Sequence, residues 1–275
     1  MAKASTIIHG YSERGMLNAI VHDLQRSDRC TQHLSRLLQL SKPDLQIPRN
    51  LISVEYLIEQ SFSEFGSADL VVFFDTADNR KGYTVFVEAK VACHQKKWSI
   101  KTNELVKFQK KIDFLNSDTD ASKRICNSDL FTQLFFKQLM VETVQKGENS
   151  HERLRGFGKE KEGSRISLGN NPVVKKAVER LEKHLDGVFY IALIPASEIE
   201  LDSYLRSDLK VLKNTLREPI SYLTWESISA FCKENPSDFP LTLNGFEYNG
   251  TQIFLNGVTA SLRPGSKKQQ QETGE

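Results

Sequence analysis

A layered α/β domain, with a mixed central sheet flanked by helices, is the fold class this sequence predicts. Three observations predict it. Between Ser67 and Lys90 two apolar stretches flank a polar turn. Both are apolar on both faces, which belongs inside a covered sheet and not on an open antiparallel one. From Asn171 to Thr224 a helix, a strand, a helix and a strand follow in succession, as in a sheet with helical crossovers. Other segments carry apolar residues at helical spacing, and 275 residues at 39% hydrophobic suffice for one substantial core.

Ser12 has the chemistry of a helix cap, and the stripe Met16, Leu17, Ile20, Val21, Leu24 carries the helix to about Arg26. A second helix spans Ser35 to Leu40, before a loop holding Pro43 and Pro48. Residues 51–65 read as helical or mixed, with Glu55 and Glu59 four apart as solvated helix acids. After the hairpin, Asn103 to Leu115 predicts a helix that turns Leu105, Phe108, Ile112 and Leu115 inward. Asp129 to Val144 is a strongly apolar helix with core residues such as Phe131, Leu134 and Leu139; Gln133 and Lys137, four apart on it, are placed to line a groove.

Residues 145–171 are rich in charge and glycine and read as a mobile insertion. Asn171-Pro172 is a helix start, and the helix runs to about Asp186. Strands follow at Val188–Pro195 and Ile220–Thr224, with helices at Glu198–Arg217 and Trp225–Lys233. Alternation between Phe239 and Leu262 predicts a small hairpin. Residues 1–262 thus form one domain, and residues 263–275 form a polar, disordered tail.

The chemistry lies in the hairpin of residues 67–90. Asp69 stands at the start of its first strand; Glu88 and Lys90 stand at the end of the second. Charges in strands this apolar are costly unless something uses them. Side chains alternate faces along a strand, so Glu88 and Lys90 share a face and Ala89 points the other way. If Asp75 pairs with Gly82, Asp69 falls opposite Glu88, and directly opposed side chains lie roughly 4.5–5.5 Å apart. Two carboxylates that close repel unless a proton or cation sits between them. Carboxylate and carbonyl oxygens with retained waters suit Mg²⁺ or Mn²⁺.

Asp69 followed by Glu88-Ala89-Lys90 at the end of the next strand resembles the PD-(D/E)xK nuclease superfamily, with its restriction-endonuclease-like fold. Ala68 stands where that pattern often has proline. The resemblance implies a Mg²⁺- or Mn²⁺-dependent nuclease acting on DNA. Asp69, Glu88 and the Ala89 carbonyl would hold the metal, and Lys90 would assist the attacking water. Many members also bring in an acid from the first helix. Glu13 matches that position and lies on the buried face of its helix; a first-turn acid favoured by the helix dipole is the alternative. Several branches place a glutamine on the helix after the lysine, where Gln109 stands; a surface glutamine is the competing reading. Restriction, phage defence or repair are the contexts the family implies, with a homodimer or a partner subunit.

From Lys90 to Lys111 there are seven lysines against one acid, Glu104. Lys96, Lys97, Lys101, Lys107 and Lys111 are candidates to grip phosphates, and a solvated basic surface is the alternative. The net charge of +2 does not by itself announce a polyanion partner. Scattered Cys30, Cys93, Cys126 and Cys232, without a CxxC pair, argue against a zinc cage or disulfides and fit a reducing cytoplasm. No apolar run reaches the length of a membrane span. His9, His22 and His94 lack a Ser or Cys partner at recognisable spacing, which disfavours a nucleophilic hydrolase. A nucleic-acid-binding or assembly protein on the same fold, with weak or lost catalysis, is the alternative to the nuclease.

Overall fold

The computed structural model describes residues 12–77, 81–92, 98–115, 129–152, 165–207, 212 and 216–253. Lys96, Lys97, residues 153–164 of the expected insertion and the expected tail lie outside them.

Helices α1 (Ser12–Arg26) and α2 (Cys30–Gln39) precede three strands, β1 (Leu51–Ser61), β2 (Ser67–Thr76) and β3 (Gly82–Ala89). A π-helical turn, Ile100–Leu105, leads into α3 (Val106–Leu115), and α4 covers Leu130–Gln145. Two short strands, β4 (Ser150–Glu152) and β5 (Arg165–Ser167), pair with each other. Then come α5 (Pro172–Glu182), β6 (Gly187–Ile194), α6 (Glu198–Ser207), β7 (Ile220–Thr224), α7 (Trp225–Glu234) and α8 (Pro240–Ile253).

The central sheet has the order β1-β2-β3-β6-β7. β1–β2 and β2–β3 are antiparallel; β3–β6 and β6–β7 are parallel. The β2–β3 ladder runs in one register from Asp75↔Gly82 to Leu70↔Val87. Asp69 and Glu88 are the next residues beyond that last pair, as the assumed hairpin requires.

Alternation splits the sheet into two cores. Val71, Phe73, Phe86, Tyr190 and Ala192 face a layer that includes α4, with Phe131, Leu134 and Leu139, and α5, with Val174 and Leu181. Leu70, Val72, Phe74, Val85 and Val87 face the other layer, built from α1, α2, α7 and α8. A three-layer α/β arrangement results, covered on both faces as the apolar strands demand.

Three expectations are corrected. Residues 51–61 form a strand: β-branched Ile52, Val54 and Ile58 together with Tyr56 favour it, and nine residue pairs tie it to β2. Glu55 and Glu59 are not helix acids; they pair with Arg180 and Arg14 beside this sheet-edge strand. The hairpin expected after Phe239 is instead α8 through Ile253. Phe246 and Ile253 lie seven apart, two helical turns, and both are buried against the core that includes α1. Gly245 allows the close approach, since a Cβ there would lie 2.8 Å from Met16 Sδ. Finally, the two described ends of segment 145–171 are not loop throughout, because β4 and β5 form a ribbon.

Candidate active site

Asp69 and Glu88 share the sheet face covered by α4. Asp69 is half-buried, and its Oδ2 accepts a hydrogen bond from the Ala89 amide at 2.8 Å. This bond fixes one carboxylate oxygen at the end of the ladder. Glu88 has no exposed surface, and among the described residues neither of its carboxylate oxygens has a hydrogen-bond donor. Burial pushes its carboxyl up to about 8; Lys137 and Lys90 pull the other way, and the Asp69 charge adds to the rise.

Lys137 comes from α4, one turn after Gln133. It is almost wholly buried, and its Nζ lies 3.6 Å from Glu88 Oε1. That is an ion-pair distance, beyond hydrogen-bond range. Its ammonium donates a hydrogen bond to the Phe65 carbonyl at 3.0 Å. Burial holds the ammonium below its ordinary range, opposed by the Glu88 and Asp69 charges. Gly66, which follows Phe65, has φ +80, a conformation that favours glycine.

Lys90 is half-buried, and its ammonium donates to Gln133 Oε1 at 2.5 Å. Its backbone is anchored at both ends: the amide donates to Leu193 O at 2.8 Å, and the carbonyl accepts from Trp225 Nε1 at 2.8 Å. Glu104 approaches from the π-helical turn. It is 4% exposed, its Oε2 accepts from the Leu130 amide at 2.7 Å, and burial raises its carboxyl against the pull of Lys90 and Lys107. π-Turns often mark functional sites, and this one brings an acid beside Lys90.

The remaining candidates divide. Glu13 sits on α1, whose core residues pack on the opposite sheet face. Asp69 and Glu88 lie on the face that carries Val71 and Phe86, so the sheet stands between α1 and the pair. Lys101 and Lys107 are exposed, as phosphate contacts need. Gln109 donates to Asp113 Oδ1 at 2.7 Å along its own helix. Lys111 is buried, paired with Asp129 and donating to Thr132 Oγ1 at 2.9 Å. It pins α3 to the start of α4 instead of facing solvent. A cavity of about 520 Å³ lined by Gln138, Glu142, Tyr190 and Arg217 shares none of the Asp69, Glu88, Lys90 group.

Gln133 and Lys137 are the residues whose place the sequence left open. The available signal was a lysine within a helix apolar all round; chain pattern alone does not say that it meets Glu88. The chain matches no protein-family model, no curated protein and no solved structure. Among the described residues no helix is long and apolar enough to cross a membrane.

Proposed function

We propose that this chain is a Mg²⁺- or Mn²⁺-dependent deoxyribonuclease of the restriction-endonuclease-like kind, hydrolysing phosphodiester bonds. One observation carries the reading: Asp69 and Glu88 converge at the ends of paired strands, beside Lys90, and both oxygens of buried Glu88 lack a hydrogen-bond donor among the described residues. Buried polar atoms normally have partners, and two orphaned carboxylate oxygens beside a second carboxylate fit a hard cation. An all-oxygen set with few protein ligands suits Mg²⁺ or Mn²⁺, which leave remaining positions to water and phosphate.

Asp69, Glu88 and the Ala89 carbonyl would hold the ion. When bound there, it supplies charge to the scissile phosphate and lowers the pKa of a coordinated water. Asp69 is oriented for this by the Ala89 amide. Lys90 orients the attacking water or offsets the charge that develops on phosphorus-bound oxygens. Gln133 holds the Lys90 ammonium, and Trp225 fixes its backbone. Lys101 and Lys107 would receive the DNA backbone. The family resemblance implies 5′-phosphate and 3′-hydroxyl ends, action in restriction, phage defence or repair, and a homodimer or partner subunit.

The test is incubation of plasmid and linear DNA with Mg²⁺ or Mn²⁺. Cleavage lost on chelation, and reduced at least about 100-fold in Asp69→Ala and Lys90→Ala, supports the enzyme. A binding protein with lost catalysis is the second reading, favoured by the ammonium of Lys137 already beside Glu88. It predicts DNA retention with no cleavage in either metal.

A further inference from the structure

We propose that Lys137 is a resident cation of the Asp69–Glu88 pair, with which a divalent ion must compete to load the site. The inference rests on the metal-site reading above and deepens it by naming what opposes loading. Three observations support it. The Lys137 ammonium lies 3.6 Å from a Glu88 oxygen that has no hydrogen-bond donor among the described residues. The whole side chain is buried, so its charge is not dispersed into water. Its hydrogen bond to the Phe65 carbonyl, at 3.0 Å, places the ammonium on the turn that leads into β2 and Asp69.

The charges decide the direction. Without a counter-charge, Glu88 would be an uncompensated buried carboxylate, the arrangement that destabilises most. Lys137 is the larger source of that charge in the metal-free protein, and Lys90 the smaller. A divalent ion beside the same carboxylate brings two positive charges near a third in a weakly screened interior. The ammonium must therefore move, lose its charge, or weaken ion binding. A proton on Glu88 also competes with the ion but carries half its charge, so removing Lys137 favours the ion over the proton.

The experiment is titration of the full chain with Mn²⁺ alone, without DNA, by calorimetry, comparing Lys137→Met and Lys137→Gln with the parent. Gln keeps a donor for the Phe65 carbonyl. Binding at this site is defined as the part lost in Asp69→Asn. The expected result is binding at least about tenfold tighter in either variant, from removal of a like charge at close range. Asp69-dependent binding seen only after Lys137 is replaced also supports the proposal. Equal or weaker Asp69-dependent binding overturns it while leaving the metal site intact. No Asp69-dependent binding in any protein overturns both readings.

Discussion

Two buried titratable side chains give this protein opposite responses to pH. Glu88 has its carboxyl raised by burial, so its ionisation opposes folding. A raised folded-state value means stability that is complete below the ordinary carboxylate range and is lost as pH climbs toward about 8. His33 is buried against the rings of Phe231 and Phe239, and burial lowers its imidazole below the ordinary histidine value of 6.5. Its Nε2 lies 3.3 Å from Asp238, whose carboxyl Arg29 holds below its usual range. A lowered folded-state value means stability present above 6.5 and lost as pH falls below it. Thermal melts of the metal-free protein from pH 5 to 8.5 should therefore separate the two. Glu88→Gln should remove part of the decline on the alkaline side, and His33→Leu part of the decline on the acid side. Unchanged pH profiles in both variants would contradict these assignments.

Among the elements, the β2–β3 hairpin was the most legible in sequence and β1 the least. The hairpin declares itself because apolar residues run on both faces and Gly82 sits where the second strand must begin tightly. Gly82 donates to Asp186 Oδ2 at 2.8 Å, and a Cβ there would come within 2.4 Å of the Lys183 carbonyl. Gly82→Ala should therefore force the junction of α5 and β6 away from β3, at a cost of about 1–3 kcal/mol, the range for overpacking. Urea unfolding measures this, and an unchanged midpoint would refute the close packing. β1 deceived because Glu55 and Glu59 share a face in a helix as well as in a strand. Only β2 on one side, and Arg180 and Arg14 to receive the acids, decide between them. α8 misled in the opposite sense, since short-range alternation near Phe246 resembles a strand until α1 supplies the surface that it packs on. Lys137 has the same cause: its position four after Gln133 was visible, but its contact with Glu88 joins residues 49 positions apart, which no local pattern encodes.

Across the whole molecule, a net charge of +2 leaves any DNA affinity to where the lysines stand. The run after β3 illustrates this. Lys101 and Lys107 are exposed, and Lys107 is close enough to Glu104 to affect its carboxyl. Lys111, in the same run, is buried on Asp129 and Thr132. Charge in sequence therefore overstates charge available to phosphate. Each phosphate neutralised contributes about 0.9 to the slope of log affinity against log salt on duplex DNA. Replacing both Lys101 and Lys107 with Ala should lower affinity for unrelated duplexes equally and flatten that slope by about 2. Lys111→Met should act differently: it strands the buried Asp129 charge and should cost about 3–5 kcal/mol of folding stability. Where enough folded protein remains, the salt slope should be that of the parent. Fluorescence anisotropy over a salt series, beside urea unfolding of the same proteins, separates the two roles. A Lys111 variant that folds like the parent but has a flatter salt slope would move that lysine to the DNA surface and displace the α3–α4 pin.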